Sequence, residues 1–310
     1  MNIFLDFKLD IRFLGCSNIT ENGKLKTKSL LLKSRKLKKM SSQTIPLFYW
    51  SEIKFIFKKK ENYGDLLSKY LVEKISGKEV KWVHPKKQPW YKLDKTNYVT
   101  IGSVIHHSSK NSIVWGSGII DHEQSIEKAD FRAVRGPQTR KFLLKLGYDC
   151  PEVYGDPALL LPQYYHPEIQ KKYKIGIIPH YHDFIQVSEV YKDDPEILVI
   201  DLMTLDVEEV TRQILRCERT ISSSLHGIIV SHAYEISSVW VEFSDKIFGD
   251  GIKYRDYLES VEISFYQAEF LDRKLELKEI ENLFEKYPSL PEKGKIEKLC
   301  EGLMKVCPFN

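Results

Sequence analysis

The chain has 310 residues, of which 42% are hydrophobic and 29% are charged, a composition that excludes a disordered, collagen-like or disulfide-scaffold protein. A single core would be near its size limit at this length, so we expect two lobes. The formal net charge of +4 combines a basic N-terminal segment with a mildly acidic remainder, and the acidic remainder argues against a nucleic-acid-binding body.

Neither export nor membrane insertion is favoured by the sequence pattern. The longest apolar runs, such as residues 158–162, fall far short of the roughly 18 residues that cross a bilayer. Charged residues interrupt positions 1–15, which argues against a secretory signal. The five cysteines are scattered without a CxxC pair and are interpreted as reduced thiols. We therefore expect a cytoplasmic protein.

Residues 1–44 are predicted to form a mobile basic arm. Residues 21–40 contain eight lysines and arginines and one acid, with little that packs into a core. One interpretation is attraction to the anionic inner face of a membrane, which would make the protein peripheral there. A solvated tail, or an upstream extension that precedes a start at Met40, is the alternative.

From residue 45 onwards, short β-rich runs alternate with helical runs, which predicts α/β lobes with parallel sheets and crossover helices. We place an N-terminal lobe at 45–165, a C-terminal lobe at 166–265 with a cleft between the two, and helices that pack back across the lobes at 266–310. The predicted strands are 46–49, 79–83, 98–101, 112–115, 130–135, 173–178, 197–201, 219–222 and 238–243. The predicted helices are 65–76, 137–146, 207–217, 226–234, 278–287 and 293–306.

Ligands of open parallel sheets bind beyond the carboxyl ends of the strands, so the turns that follow strands are candidate sites. The first such turn is 61–65. Asn62 or Asp65 is suited to cap the following helix, and Gly64 allows the backbone to approach a ligand. A capped turn without a ligand explains the same residues.

A second turn holds Arg135, Gly136 and Pro137. Proline suits the first position of a helix, and free amides at a helix start beside a guanidinium favour phosphate or carboxylate. The sequence therefore predicts an anion site here. An arginine paired with a structural carboxylate is the alternative.

The third turn is the most informative, because a β-branched strand leads into Ser222, Ser223 and Ser224 and then into Leu225 and His226 at the head of an apolar helix. Serine is a frequent helix cap, and histidine is the side chain that exchanges protons most readily near neutral pH. We expect a catalytic role for His226. A structural histidine is the alternative.

A fourth turn contains His180, and its His-x-His spacing with His182 invites a metal interpretation. We discount it because no set of carboxylates or thiols accompanies the pair, and we expect His180 to line the substrate site instead. Gly116 and Gly118 leave room for a ligand, but the dinucleotide fingerprint and the phosphate loop are missing. Asp156 either points into the cleft or makes a turn.

Taken in order, these segments resemble the polysaccharide pyruvyl transferase family, from about residue 45 to about residue 259. The resemblance rests on seven segments, namely 62–65 (NYGD), 115–118 (WGSG), 134–137 (VRGP), 155–158 (GDPA), 179–181 (PHY), 222–227 (SSSLHG) and 249–257 (GDGIKYRDY). It implies two Rossmann-like lobes in the arrangement of GT-B glycosyltransferases. It also implies transfer of pyruvate from phosphoenolpyruvate to a sugar as a cyclic ketal, with release of phosphate and without a metal or a cofactor.

The resemblance ties Arg135 and His226 to donor binding and catalysis, and both are expected to face one shared hollow. Asp65 is the candidate for a second acid or base, and Asp156 is its alternative. Many family members carry arginine where this chain has Ser224, which leaves Lys253 or His180 to replace that charge. The predicted binding residues are Asn62, Gly64, Gly116, Gly118, Gly136, Asp156, His180, Ser222, Ser223, Ser224, Leu225 and Lys253.

The expected acceptor is a sugar or a lipid-linked oligosaccharide, such as a precursor of a capsule or another cell-surface polysaccharide. Two other functions stay open at this point. One is a GT-B-type glycosyltransferase that uses a nucleotide sugar. The other is a sugar-binding homologue that has lost its activity, an interpretation that the absence of the arginine at position 224 favours.

Overall fold

The computed structural model describes residues 44–245 and 249–309. The predicted basic segment 21–40 lies outside these residues. The described strands are β1 (Ile45–Phe48), β2 (Glu61–Asn62), β3 (Val80–Trp82), β4 (Asn97–Val99), β5 (Ser112–Trp115), β6 (Asp130–Ala133), β7 (Tyr173–Ile178), β8 (Ile197–Val199), β9 (Met203–Thr204), β10 (Cys217–Ser222), β11 (Ser238–Glu242) and β12 (Glu269–Phe270).

The first sheet has five parallel strands in the order β3-β1-β4-β5-β6. When the five strands of this sheet are renumbered from 1 to 5 in chain order, the order becomes 2-1-3-4-5. This is one of the common doubly wound arrangements. The strand order reverses between β1 and β4. Chain segments leave the sheet in opposite directions at this switch point, so a crevice opens at the carboxyl ends of these two strands.

The second sheet repeats this topology with the order β12-β11-β10-β7-β8, and all of its pairs are parallel. Its switch point lies between β7 and β10. The sheet extends to Phe270, beyond residue 265, where the sequence placed the end of the second lobe. The parallel sheets expected from the alternating pattern are thus confirmed, and both belong to one compact unit of residues 43–310.

The described α-helices are α1 (Glu52–Ile56), α2 (Tyr63–Ser76), α3 (Pro137–Lys145), α4 (Leu161–Tyr164), α5 (Phe184–Tyr191), α6 (Val207–Leu215), α7 (Leu225–Ala233), α8 (Ile252–Ser260), α9 (Leu277–Lys286) and α10 (Lys295–Lys305). The predicted helices are present within a few residues of the expected bounds. The sequence pattern missed α1, α4, α5 and α8, of which α1, α4 and α5 are short. Strand β6 ends at Ala133, so Arg135 lies in the turn and the prediction of a strand to that residue was wrong.

Two contacts connect distant parts of the chain. Strand β2, just before α2, pairs antiparallel with β9 from the second half. The last helix, α10, reaches the first sheet, where the Nε1 atom of the buried Trp115 donates a hydrogen bond to the Leu303 carbonyl at 2.9 Å. These contacts help to fix the switch points of the two sheets relative to each other.

Within residues 44–245 and 249–309, no helix combines the length and the apolar composition needed to cross a membrane.

Candidate active site

A cavity of about 510 Å³ lies where the carboxyl ends of the strands at both switch points meet. Segments that follow β1 and β4 form its wall on the side of the first sheet, and segments that follow β7 and β10 form the opposite wall. Its lining residues are Trp50, Glu52, Ile56, Asn62, Asp65, Gly102, Ser103, Val104, His106, His107, Ile120, His180, Tyr181, Ser224, Leu225, His226, Lys253 and Tyr254. Both sheets therefore place their expected ligand-binding ends at one cavity.

Three helices begin at this cavity. Helix α2 contributes Asp65 from its first turn and its cap Asn62, whose side chain accepts the Gly64 N–H at 2.9 Å. Helix α7 contributes His226, and helix α8 contributes Lys253. The first turn of a helix carries unpaired N–H groups and a partial positive charge, so this wall is suited to bind an anion.

His226 is backed by a buried carboxylate. Its Nε2 atom lies 3.6 Å from the Oδ2 atom of Asp156, which is fully buried. Neither atom has a hydrogen-bond partner within the described part of the chain. The other carboxylate oxygen accepts the Ala158 N–H at 3.0 Å and thereby fixes the side chain of Asp156. A carboxylate beside an imidazole is the arrangement that supports a general base in catalytic triads.

Gly64 is required beside this histidine. A Cβ atom at position 64 would lie 2.1 Å from His226 Nδ1, well inside van der Waals contact. Any larger residue there would displace the ring. The glycine predicted to allow a ligand to approach thus makes room for the imidazole.

Asp65 and Lys253 are an acid and a base whose pKa values are both shifted. Burial, then the charges of Glu52 and Glu61, raise the pKa of Asp65 well above its usual range, against the opposing effect of Lys253. Burial, then the charge of Arg135, lower the pKa of Lys253 to about 8. The raised pKa favours the protonated form of Asp65, and carboxylic acids of this kind serve as proton donors in enzymes.

His180 and His107 on the cavity wall are neutral near pH 7. Burial, then the charge of Lys253, lower the pKa of His180 to about 3. Burial, then the neighbouring His106, lower the pKa of His107 to about 3. His180 is thus unable to replace the missing arginine charge, whereas Lys253 is suited to do so. The backbone N–H of His180 donates to Ser223 Oγ at 2.8 Å, which fixes the turn after β7.

Arg135 lies behind the wall of the cavity and is fully buried. Its Nε atom donates to Asp256 Oδ2 at 3.1 Å, its Nη1 atom donates to Ser103 Oγ at 2.6 Å, and its Nη2 atom donates to the Ile119 carbonyl at 2.7 Å. The structure thus has the ion pair with a structural carboxylate that the sequence left open as the alternative. Arg135 reaches the cavity through Ser103, so direct contact with a donor stays a prediction.

The remaining predicted residues do not line the cavity and instead support the residues that do. Ser222 Oγ accepts the Ser224 N–H at 3.0 Å and donates to the Ile178 carbonyl at 2.9 Å, which shapes the turn before α7. A Cβ atom at Gly118 would lie 2.4 Å from the Arg135 guanidinium, and one at Gly136 would lie 1.9 Å from the Asp256 carbonyl oxygen.

Gly116 has a φ of +87°, and a Cβ atom there would lie 2.2 Å from Pro157. The predicted residues that line the cavity are Asn62, Asp65, His180, Ser224, Leu225, His226 and Lys253. Those behind its wall are Gly64, Gly116, Gly118, Arg135, Gly136, Asp156, Ser222 and Ser223.

Sequence reasoning missed several residues of the cavity. Glu52 is buried, lies just beyond the carboxyl end of β1, and accepts a hydrogen bond from Tyr181 of the opposite wall at 3.4 Å. His106 and His107 lie in a 3-10 turn beyond β4. The rule that sites follow strand ends applies to both segments, and Ser51 after β1 and Gly102 and Ser103 after β4 are signals that could have found them.

Comparison with known proteins identifies the family to which the chain belongs. The family model described as polysaccharide pyruvyl transferase matches residues 62–245. The match includes Asp65, Asp156 and His226. The chain is also 32% identical over 209 residues to the uncharacterized protein L143 of Acanthamoeba polyphaga mimivirus. The aligned residues cover 65% of this chain and 71% of the relative.

Proposed function

The chain belongs to the polysaccharide pyruvyl transferase family, and we propose its function from that premise. In the proposed reaction, it transfers pyruvate from phosphoenolpyruvate to a sugar of a polysaccharide precursor as a cyclic ketal, with release of phosphate. The observation that carries the proposal is the cavity that His226, Asp65 and the first turns of α2, α7 and α8 share. Asp156 backs His226, and burial raises the pKa of Asp65. The GT-B arrangement of the two lobes is part of this proposal, and the repeated strand order supports it.

Phosphoenolpyruvate brings a phosphate and a carboxylate, which require N–H donors and cations. The helix starts at Ser224 and Gly251 supply N–H groups, and Lys253 supplies the cation. Many relatives place arginine where this chain has Ser224, so Lys253 takes over that charge. Arg135 adds positive potential from behind the wall, as its effect on the pKa of Lys253 indicates.

The reaction needs proton transfers that these side chains can perform. Asp65 donates its proton to the methylene carbon of the donor, which becomes a methyl group and leaves an oxocarbenium-like centre. One sugar hydroxyl attacks this centre and gives its proton to His226, whose charged form Asp156 stabilises.

A second hydroxyl then displaces phosphate and closes the ring. It returns a proton to Asp65, while His226 passes its proton to the departing phosphate. Both side chains thereby regain their starting protonation states.

Two incubations of the purified protein test this proposal. With phosphoenolpyruvate and an acceptor panel of cell-surface oligosaccharides, free and lipid-linked, we expect release of phosphate and formation of a pyruvylated product. With UDP-sugars and the same acceptors, we expect no release of nucleotide. Release of nucleotide without consumption of phosphoenolpyruvate would instead indicate a glycosyltransferase, and binding of the donor without turnover over the whole panel would indicate a homologue that has lost its activity.

A further inference from the structure

The connection between β3 and β4 exposes three large apolar side chains. Trp90 is 88% exposed, Tyr91 is 70% exposed and Leu93 is 103% exposed. This connection contains one 3-10 turn, Pro85–Lys87, where a doubly wound sheet usually has a crossover helix. Contiguous exposed apolar side chains on a surface loop mark an interaction site.

The apolar loop, residues 88–95, is held by hydrogen bonds at its base. Gln88 Nε2 donates to the Lys95 carbonyl at 2.7 Å, and Lys92 Nζ donates to Gln88 Oε1 at 2.6 Å. The Lys92 N–H donates to the Pro89 carbonyl at 3.1 Å and closes a turn. The apolar side chains are therefore presented outward by an ordered loop.

Lysines surround this loop. Residues 78–95 contain six lysines, at positions 78, 81, 86, 87, 92 and 95, against two acids. Three of them, Lys78, Lys81 and Lys92, line a hollow of about 470 Å³ beside the loop. Together with burial, the charges of Lys87 and Lys86 lower the pKa of His84. The surroundings of the loop thus carry a positive potential that complements an anionic surface.

We propose that the apolar loop docks the protein on an anionic membrane surface, with Trp90, Tyr91 and Leu93 entering the interface and the lysines contacting lipid phosphates. Tryptophan and tyrosine favour the interface between headgroups and acyl chains, and leucine favours the apolar side of it. A carbohydrate partner fits less well, because the Trp90 and Tyr91 rings meet at 82° and offer no flat stacking surface.

The same connection begins beside the candidate active site. Lys86 Nζ donates to the carbonyl of His106 at 3.0 Å, and His106 lines the cavity. The connection thus runs from the cavity end of the first sheet to the apolar loop, which lies beside the residues that begin β1.

Sedimentation of the full chain with vesicles tests the docking surface without any need for activity. On vesicles of phosphatidylcholine and phosphatidylserine in equal parts, we expect the double variant Trp90→Ala/Leu93→Ala to weaken partitioning about tenfold or more. Each of Lys81→Gln and Lys87→Gln is expected to weaken it about fivefold. The matched controls are Ile185→Ala, which removes another side chain that is 81% exposed, and Lys141→Gln on α3. Both controls are expected to bind like the wild type.

Insertion is tested by vesicles with brominated acyl chains, which are expected to quench the fluorescence of the wild type more than that of Trp90→Phe. Equal quenching of both proteins, or unchanged partitioning of Trp90→Ala/Leu93→Ala, would overturn the proposal. The proposal would also be overturned if Trp90→Ala/Leu93→Ala lost binding to the acidic polysaccharide alginate but still bound vesicles. The loop would then recognise carbohydrate. Loss of pyruvyl transfer with intact vesicle binding would contradict the proposed function alone.

Discussion

The Nε2 atom of His226 faces the Oδ2 atom of Asp156 at 3.6 Å, although the two residues come from distant segments of the chain. Asp156 begins the 3-10 turn Pro157–Leu160, and His226 lies in the first turn of α7. His226 also lines the cavity, whereas Asp156 is fully buried behind it. This pair is the centre of the chemistry proposed above.

We expect Asp156→Asn to lower kcat about a hundredfold or more, because the imidazolium formed during catalysis loses its stabilising charge. Asparagine retains the oxygen that accepts the Ala158 N–H, so Tm is expected to stay close to that of the wild type. The matched control is Asp206→Asn, which changes a helix-capping aspartate of α6 that does not line the cavity. It is expected to leave kcat unchanged.

His226→Ala is expected to fold and to lose about the same factor in kcat as Asp156→Asn or more, within the ~10² to 10⁴ typical of a general acid or base. Because the two residues act as a unit, the double variant is expected to be no worse than His226→Ala. Kinetic assays of the four proteins form a double-mutant cycle. Additive losses, or wild-type turnover in His226→Ala, would contradict the assignment.

Gly64→Ala is expected to lower the rate strongly while changing the stability little. Its Cβ atom would displace the His226 ring, and a shift of about 1 Å in a catalytic group costs up to a hundredfold in rate. Alanine is a better helix former than glycine, so the free energy of unfolding is expected to change by less than about 1 kcal/mol. Gly302→Ala in α10 is the control, since its new Cβ atom meets only Val153 at 3.8 Å. Wild-type turnover in Gly64→Ala would remove His226 from the mechanism.

Lys253 is expected to make donor binding depend on pH. Its charged form binds the anion, and its pKa is lowered to about 8 by burial and by Arg135. The KM for phosphoenolpyruvate should therefore be low below pH 8 and rise up to about tenfold for each pH unit above it. Lys253→Arg should remove this rise, because arginine stays charged, and Lys253→Gln should raise KM at every pH. A KM that stays constant up to about pH 10 would show that Lys253 does not bind the donor.

Asp256→Asn is expected to lower the free energy of unfolding by about 3 to 5 kcal/mol, because it leaves the guanidinium of Arg135 buried without a counter-charge. Urea unfolding measures this loss. Arg255→Gln is the matched control on the same helix, since its ion pair with Glu259 is exposed to solvent and is worth at most about 1 kcal/mol. Equal stability of the two variants would mean that the buried pair is not a structural element.

Deletion of residues 1–39 tests the basic arm predicted from the sequence. We expect the truncated protein to bind anionic vesicles more weakly and to keep its activity on a soluble acceptor, because the deletion removes positive charge. Combined with Trp90→Ala/Leu93→Ala, it separates the contribution of the arm from that of the apolar loop. Unchanged vesicle binding after the deletion would eliminate the arm as a membrane contact.

The local pattern of the sequence was sufficient to predict most strands and helices and the turns around Asn62, Asp156 and His226. Hydrophobic periodicity and glycine or serine at strand ends act over a few residues, so they are readable without a structure. Ser51 after β1 and Gly102 and Ser103 after β4 are signals of the same kind, but neither turn was interpreted as a site. Glu52 and both histidines were therefore missed, although all three line the cavity.

The sequence by itself thus determined the element types, the parallel sheets and the turns in which chemistry was to be sought. Only the tertiary structure decided that both switch points open onto one cavity, that Asp156 backs His226, and that Arg135 is paired with Asp256 behind the wall. The physical reason is range: helix and strand preferences follow from neighbouring residues, whereas burial, proton affinity and ion pairing depend on which distant segments the packed core brings into contact.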